Sequence, residues 1–201
     1  MSTPTTYPFP IIGLTGLAGS GKDTARAILE EFGFQGMAFA DPIKNMLRDL
    51  LTSNGISEQY IDERAMKELP IPQLSRPGNP VSYRSLAQTL GTEWGRQLVS
   101  PTLWLDLAAA WMADVQEQTF GTLQWAISDV RFENEADWVR QRGGVIWRIH
   151  RPGVAPVRAH ASEAGVMAMY AVQEIYNDGN IDDLRLQIGA LLGMETTGSL
   201  L

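Results

Sequence analysis

The sequence predicts an α/β fold in which a parallel sheet is covered by helices on both faces. Short apolar stretches alternate with amphipathic segments at both ends of the chain. The first apolar stretch, residues 10–14, is joined to the first amphipathic segment by a glycine-rich turn. The 201 residues, 44% of them hydrophobic, are enough for one domain with a substantial core. Strands that alternate with helices in this way indicate a parallel sheet, with ligands at the carboxyl ends of its strands.

The glycine-rich turn has the sequence GLAGSGKDT and matches the phosphate-loop pattern G-x-x-x-x-G-K. Glycines allow the backbone N–H groups to turn inward around an anion. A helix that begins near Lys22 adds partial positive charge, and the lysine can reach the β- and γ-phosphates of a bound nucleotide. We therefore predict nucleotide binding rather than a plain strand–turn–helix connection. The residues expected to contact the nucleotide here are Gly16, Ala18, Gly19, Ser20, Gly21, Lys22, Asp23 and Thr24.

Two carboxylates are candidates for a Mg²⁺ site. Most phosphate loops follow their lysine with Ser or Thr, whose hydroxyl meets Mg²⁺. Here Asp23 has that position and Thr24 comes one residue later, which leaves the direct protein ligand open. Asp129 follows a later apolar strand, where a phosphate-loop protein keeps the acid that holds the magnesium shell. The alternative role for Asp129 is to cap the next helix.

The N-terminal half continues with a second strand at residues 34–40. It ends at Asp41-Pro42, a helix-start signal because proline suits the first helical position. From Asp41 to Gln118 the sequence predicts only helices and one loop that contains four prolines. The expected helices begin at residue 41, run from residue 57 with Ser57 as cap to about 69, and cover 82–98 and 100–118.

Two of these helices have informative patterns. In residues 82–98 the expected apolar stripe is Leu86, Ala87, Leu90 and Trp94. Gly91 and Gly95 would each cost about 1 kcal/mol relative to alanine in mid-helix, so they indicate close approach by a ligand or another helix. In residues 100–118 the expected core-facing stripe is Trp104, Leu107, Ala108, Trp111 and Val115. Trp94 and Trp104 suit a core better than a base-stacking role.

The C-terminal half returns to alternating strands and helices. The expected order is a strand at 123–128, a helix at 132–142, a strand at 144–150, a loop at 151–158, a helix at 162–170, a strand at 172–176 and a last helix capped by Asn180 and ended by Gly193. Asp182 and Asp183 in the first turn favour that last helix through its dipole. Ser162 is the expected cap of the preceding helix, and His160 before it is expected to be structural.

Arginines are concentrated between residues 131 and 158, which contain six of the 13 in the chain. Arg151 and Arg158 bracket a Pro/Gly loop that is typical of a lid over phosphates, where arginines stabilise charge on a transferring phosphoryl group. For Arg151 the alternative is ordinary surface charge. Arg131 is expected at the same sheet edge as Asp129, facing an anionic substrate, or else paired with Glu133 or Glu135.

The helical stretch offers candidates for an acceptor site. Arg84, Gln88 and Arg96 could bind the phosphate of an acceptor, and surface salt bridges are the alternative. Asp41 is either a helix cap or a contact to a substrate hydroxyl.

Composition excludes several classes of protein. The net charge of −7 argues against non-specific binding of nucleic acid or membranes, because both are anionic. The chain has no cysteine, and hence no disulfide, thiol nucleophile or thiolate metal site. No apolar run approaches membrane-spanning length, and the first ten residues lack the features of a signal peptide. A cytoplasmic protein is expected.

Five motifs in order give the chain a family resemblance: GSGKDT at 19–24, FADPIK at 39–44, QTLGTEWGR at 88–96, DVRFENE at 129–135 and HASE at 160–163. Together they resemble the deoxynucleoside monophosphate kinases of tailed bacteriophages, over residues 11–192. The resemblance implies transfer of the γ-phosphoryl group of ATP to a dNMP in the host cytoplasm. It also implies a three-layer α/β/α phosphate-loop fold with a five-stranded parallel sheet in the order 2-3-1-4-5.

The resemblance also assigns regions and roles. It implies one domain, residues 1–201, with a helical acceptor-binding insertion at about 42–120 and a lid at about 148–165. Asn177 would lie near the ATP base. The residues expected in catalysis are Lys22, Asp41, Arg131 and Arg151; those expected to bind the acceptor are Asp41, Lys44, Arg84, Gln88, Arg96, Arg131 and Glu163; and those expected near Mg²⁺ are Asp23 and Asp129. A homodimer is compatible with the family, although no apolar stripe requires one.

Two other functions remain open at this point. One is a small-molecule kinase that resembles dephospho-coenzyme A kinase, with Asp41 as a general base for a hydroxyl acceptor. The other is a non-catalytic ATP-binding module. A monophosphate acceptor is already anionic, so its phosphorylation requires no base, and the lack of a Cys/His or Ser/His set is no objection.

Overall fold

The computed structural model describes residues 7–119, 121–154 and 169–194. Its sheet has five parallel strands in the order β2-β3-β1-β4-β5. This is the predicted order 2-3-1-4-5, and the predicted α/β fold class is confirmed. The strands are β1 (Ile11–Thr15), β2 (Gln35–Met37), β3 (Trp125–Ile127), β4 (Val145–His150) and β5 (Gln173–Tyr176).

Seven α-helices, one 3₁₀ turn and one π-helix are assigned among the described residues. They are α1 (Lys22–Glu31), α2 (Asp41–Thr52), α3 (Gln59–Asp62), the 3₁₀ turn (Met66–Glu68), α4 (Tyr83–Gln88), the π-helix (Thr89–Val99), α5 (Leu103–Gln118), α6 (Glu133–Gln141) and α7 (Ile181–Leu191). No helix in the described ranges is long and apolar enough to cross a membrane.

The chain divides into two compact units, which we call the sheet unit and the helical unit. The sheet unit comprises the described residues of Met1–Ala38 and Asp114–Leu201, and the helical unit is Phe39–Ala113.

The sheet unit is a layered structure with helices on both faces of the sheet. All of β1 is buried, as expected for a central parallel strand. On one face, Ile12 and Leu14 belong to a core that also contains residues of α1 and α7. On the other face, Gly13 lies so close to Ile146 and Val130 that a Cβ atom there would overlap both side chains, while Val139 of α6 would be in ordinary contact at 3.5 Å. A glycine therefore allows Val130 and Ile146 to pack against the middle of β1 on the face that α6 covers.

The helix α7 begins and ends where the sequence predicted. The side chain of Asn180 accepts hydrogen bonds from the backbone amides of Asp182 and Asp183, at 2.7 Å and 3.2 Å. Asp183 in return accepts from the Asn180 amide at 2.8 Å, which completes a reciprocal cap. Gly193 has a φ of +77°, a conformation that favours glycine at a helix end.

The helical unit has its own core, formed by the apolar side of α2 and by residues of the segments that follow. Its buried members are Ile43, Leu47, Leu51, Ile56, Ile61, Ile71, Tyr83 and Trp104. Gly95 lies directly against the indole of Trp104, whose Nε1–H donates to the Gly91 carbonyl at 2.7 Å. The two glycines therefore allow another helix to approach, which is one of the two roles that the sequence left open.

Several predicted details of the helical unit were wrong. The helix predicted for residues 57–69 is instead α3 followed by a 3₁₀ turn. The N-cap residue of α3 is Glu58 and not Ser57, whose hydroxyl accepts a 3.3 Å hydrogen bond from the amide of Gln59. The predicted helix 82–98 changes from α4 to a π-helix. Because a π-turn contains more residues than an α-turn, the buried side moves to the two glycines and leaves Trp94 41% exposed.

The predicted buried stripe of α5 was also partly wrong. Trp104 and Ala108 are buried as expected, but Leu105 is buried in place of Leu107, which is 42% exposed. Trp111 is exposed to the same extent. Apolar residues occur on nearly every side of this helix, so their spacing did not define one buried face.

Candidate active site

The loop between β1 and α1 has the backbone conformation expected of a phosphate loop. Gly16, Gly19 and Gly21 have φ values of +142°, +87° and +104°, in the left-handed region that side chains disfavour. At Gly16 a Cβ atom would overlap the backbone oxygen of Ile149 on β4. The loop therefore lies tightly against the carboxyl end of the sheet.

The start of α1 presents donors at this loop. Gly21 is the N-cap residue, and its carbonyl accepts the first helical hydrogen bond from Ala25 at 2.9 Å. The amides of Lys22, Asp23 and Thr24 precede that bond and have no acceptor within the helix, and the helix dipole adds positive charge there. Such an end is a ready site for an anion.

Two side chains add to the site. The Nζ of Lys22 donates to the carbonyls of Gly16 and Leu17, at 2.7 Å and 2.8 Å, so the ammonium group lies against the loop. The hydroxyl of Ser20 is buried and has no hydrogen-bond partner among the described residues. A buried hydroxyl without a partner is costly in a folded protein, so a ligand that supplied one would be favoured.

A small cavity of about 80 Å³ lies beside the loop, within the sheet unit. It is lined by Gly16, Leu17 and Ser20 from the loop and by Arg148, Ile149, His150, Arg151 and Val154 from β4 and the segment after it. Arg151 therefore lies next to the loop, and its contact with phosphates stays a prediction. Arg148 and His150 also line the cavity, although the sequence analysis assigned them no role.

Arg148 and His150 share a carboxylate on the neighbouring strand. An Nη atom of Arg148 donates to Glu174 at 2.8 Å, and the His150 ring contacts the other oxygen of that carboxylate. The His150 ring also stacks on Tyr176, with ring centroids 5.1 Å apart. The sequence contained one signal that could have found these two residues. In β4 the polar residues Arg148 and His150 alternate with the buried residues Trp147 and Ile149, so both polar side chains lie on the same face of the strand.

Asp129 lies on the other side of β1 from the cavity. β1 and β3 are parallel with Gly13 opposite Ile127, and the Val130 amide donates to the Leu14 carbonyl at 3.1 Å. Asp129 therefore follows the strand end beside the start of the phosphate loop. The N-cap residue of α6 is Phe132, so the alternative role of Asp129 as that helix cap was wrong.

Arg131 has an exposed side chain, and its backbone is held by a buried acid. The Glu135 carboxylate, 2% exposed, accepts from the amides of Arg131 and Phe132 at 2.7 Å and 3.0 Å. Glu133 forms its ion pair with Arg140. The structure therefore does not support the alternative in which the Arg131 side chain forms an ion pair with Glu133 or Glu135. Glu135 was missed as a functional residue, although an acid three residues after a helix start is a capping signal.

The remaining predicted acceptor residues of the described chain lie in the helical unit. Asp41 is the first residue of α2 and the N-cap residue is Ala40, so of the two roles that the sequence left open for Asp41, the helix cap was wrong. Its carboxylate accepts instead from Lys44 Nζ at 2.8 Å. Arg84 forms a surface ion pair with Glu68. Gln88 is exposed at the end of α4, and Arg96 is half-buried in the π-helix.

Some predictions fall elsewhere in the chain. Arg158, His160 and Glu163 lie outside the described residues, as does most of the predicted helix at 162–170. Asn177, expected near the ATP base, is described: its side chain donates to the Ser20 carbonyl at 2.9 Å.

Comparison with known sequences identifies the family. The family model described as "Deoxynucleotide monophosphate kinase" matches residues 59–188, which is more than half of the chain. The chain belongs to the deoxynucleotide monophosphate kinase family. The resemblance stated from the five sequence motifs is thereby confirmed, and the alternative of a kinase resembling dephospho-coenzyme A kinase is not favoured.

Individual relatives of this deoxynucleotide monophosphate kinase family member agree with the assignment. A protein of Acanthamoeba polyphaga mimivirus that is named as a deoxynucleotide monophosphate kinase is 30% identical over 187 residues, covering 89% of this chain and 93% of the relative. The deoxynucleoside-5'-monophosphate kinase of Escherichia phage T5 is 25% identical over 243 residues, covering 89% and 94%. The crystal structure of TT1252 from Thermus thermophilus is similar in fold, with a TM-score of 0.50, 18% identity and coverage of 95% and 100%.

Proposed function

We propose that this protein transfers the γ-phosphoryl group of ATP to the phosphate of a deoxynucleoside monophosphate, which yields ADP and the deoxynucleoside diphosphate. The observation that supports it most is a phosphate loop, with Lys22 held against it, in a chain of the deoxynucleotide monophosphate kinase family. ATP and the dNMP are the proposed small-molecule partners, and the host cytoplasm is the proposed location.

The reaction needs positioning and charge neutralisation more than acid–base chemistry. An oxygen of the acceptor phosphate attacks the γ-phosphorus, and the bond from that phosphorus to the β–γ bridging oxygen breaks as ADP leaves. The acceptor oxygen is already anionic at neutral pH, so no side chain has to remove a proton. Loop amides, Lys22 and Arg151 would neutralise charge on the ATP phosphates, and Arg131 is proposed to do so for the transferring group.

The residues beside the loop fit Mg²⁺. Magnesium is usually held by one or two carboxylates together with substrate phosphates, rather than by a cage of protein ligands. No group of three or more His, Cys, Asp or Glu residues that could form such a cage occurs in the described ranges. Asp129 at the end of β3, with Asp23 or Thr24 at the start of α1, would hold the ion. When bound, Mg²⁺ would neutralise charge on the β- and γ-phosphates.

For the acceptor we propose that the helical unit is the dNMP-binding insertion of a single kinase domain. Its candidate contacts are Asp41, Lys44, Arg84, Gln88 and Arg96. With a monophosphate acceptor Asp41 is a binding group and not a base. Asp41→Asn is therefore expected mainly to raise KM for the dNMP; near-total loss of turnover would instead favour a hydroxyl acceptor.

A coupled ADP-release assay tests the proposal. The wild-type protein is supplied with MgATP and, in separate reactions, each of the four dNMPs, AMP and dephospho-coenzyme A. We expect at least one dNMP to stimulate ADP release strongly above the rate with ATP alone. If no dNMP does so, the proposed function is wrong. Stimulation by dephospho-coenzyme A alone would instead indicate a kinase that phosphorylates a hydroxyl group.

A further inference from the structure

We propose that Asn177 is a positioning residue that orients the phosphate loop, rather than a contact to the nucleotide base. It follows β5 directly and lies where three parts of the sheet unit meet. Its side-chain amide donates to the Ser20 carbonyl at 2.9 Å, and its backbone amide donates to the His150 carbonyl at 2.7 Å. One residue therefore connects the loop to the end of β4. The inference deepens the proposed function and rests on it.

The bond to Ser20 has a direct consequence for the next amide. In a planar trans peptide the C=O and N–H groups point in opposite directions, and no cis peptide is present in the described chain. Because the Ser20 carbonyl points to Asn177, the N–H of Gly21 points away from it. That N–H is one of the amides available to a phosphate ahead of the first helical hydrogen bond. Asn177 thus fixes the direction of a phosphate donor without touching the phosphate.

Glycine at position 21 is part of the same arrangement. With its φ of +104°, Gly21 lies so close to the Asn177 amide that a Cβ atom would overlap it. Asn177 therefore acts twice on the Ser20–Gly21 peptide unit: it contacts Gly21 and it donates a hydrogen bond to the Ser20 carbonyl. The Ser20–Gly21 peptide would otherwise be free to rotate, since glycine permits both hands of backbone conformation.

Asn177 is itself held from the side of α7. Tyr176, the residue before it, exchanges two hydrogen bonds with the Gln187 side chain, at 3.0 Å and 3.3 Å. Three residues after it, Asn180 forms the reciprocal cap of α7 with Asp183. These bonds hold the segment between β5 and α7 at both ends, but none of them involves the Asn177 side chain or its bond to Ser20.

The test measures ligand affinity without an acceptor, by calorimetry with MgADP and with magnesium tripolyphosphate, which has no base. Two neutral variants remove the donor: Asn177→Leu, similar in shape, and Asn177→Ala. We expect each to weaken both ligands by the same factor, about fivefold to tenfold, which is the scale of one lost hydrogen bond. KM for the dNMP is expected to change by less than about twofold.

A matched control is Gln187→Ala, which removes two hydrogen bonds from the same segment but none from the loop. It is expected to bind both ligands as the wild type does. The proposal is overturned if Asn177→Leu binds tripolyphosphate normally, if only ADP binding weakens, or if Gln187→Ala weakens both ligands equally. Loss of ADP affinity alone would instead indicate a contact to the base or sugar.

A second measurement covers the case in which the Asn177 variants do not fold. In wild-type protein labelled with ¹⁵N and ¹³C, NMR should detect coupling between the Asn177 side-chain nitrogen and the Ser20 carbonyl carbon, and tripolyphosphate should shift the Gly21 amide resonance. Absence of either signal contradicts the proposal. Because the calorimetry and the NMR measurement use no acceptor, their outcome is separate from that of the kinase assay.

Discussion

The carboxylate of Glu135 accepts a 2.7 Å hydrogen bond from the backbone amide of Arg131. Arg131 and Asp129 are the two residues after β3 to which the proposed function gives roles, and Glu135 holds the backbone at Arg131. A 3.0 Å bond from Phe132 completes the arrangement at the start of α6. Because Glu135 is buried, these bonds form where water cannot replace them.

Glu135→Ala is expected to lower the free energy of unfolding by about 2 kcal/mol, because two backbone amides lose a buried, charged acceptor. It should also lower kcat, since Arg131 would no longer be held in place. Urea denaturation and steady-state kinetics on the same protein measure both effects. Glu133→Ala, exposed on the same turn, is the control and should change stability by less than about 0.5 kcal/mol. Equal effects of the two substitutions would contradict the role given to Glu135.

Gly95→Ala should destabilise the helical unit by about 1–3 kcal/mol, because the added methyl group would overlap the Trp104 ring and force the buried indole to move. Thermal unfolding followed by tryptophan fluorescence measures the change. Gly91→Ala is the control and should destabilise the unit less. A Cβ atom there would lie 3.0 Å from the flexible end of the Ile43 side chain, and the higher helix propensity of alanine would offset part of the lost packing energy. A Gly91 variant less stable than the Gly95 variant would contradict this packing.

The site was predictable where local chemistry defines it. The spacing of Gly16, Gly19, Gly21 and Lys22 specifies one backbone conformation, that of a phosphate loop. The order of Asn180 and Asp183 in the sequence specifies a reciprocal helix cap. The strand order followed from the family resemblance, because alternation alone defines a parallel sheet but not which strands are neighbours.

The rest depended on tertiary contacts that spacing does not contain. In the π-helix that follows α4, Gly95 packs against Trp104, nine residues later in the chain, and this contact cannot be read from the spacing of apolar residues. Arg148 and His150 became candidate site residues only when β4 was placed beside the phosphate loop. Apolar residues on several sides of α5 left its buried face undefined until its neighbours were known.

The ion pair between Arg48 and Asp62 in the helical unit should stabilise the protein near neutral pH and lose that contribution at low pH. The hydrogen bond from Arg48, together with its charge, lowers the pKa of Asp62. An acid whose pKa is lower in the folded protein stabilises it above the unfolded value of about 4, and that contribution is lost as the pH falls through the folded value. Asp62→Asn should therefore reduce Tm slightly at pH 6 and leave it unchanged near pH 2. An equal loss at both values would contradict the assignment.

The metal proposal predicts that Asp129→Asn raises the Mg²⁺ concentration needed for half-maximal activity by on the order of tenfold, because one carboxylate near the ion is lost. Activity is titrated with Mg²⁺ at fixed ATP. The same titration on Asp23→Asn and on Thr24→Ala decides which of these two residues of α1 is the direct Mg²⁺ ligand. The substitution that removes the ligand should raise the Mg²⁺ requirement, and the other substitution should leave it unchanged. An unchanged Mg²⁺ requirement for Asp129→Asn would contradict its role.

Transfer of a labelled phosphoryl group tests the central claim most directly. The protein is incubated with Mg²⁺, ATP labelled with ³²P at the γ-position and each dNMP in turn, and the products are separated by chromatography. The account predicts label in a deoxynucleoside diphosphate with the wild type, and a rate lower by at least about 100-fold with Lys22→Met, which lacks the ammonium group. Label that appears only as inorganic phosphate, whether or not a dNMP is present, would contradict it.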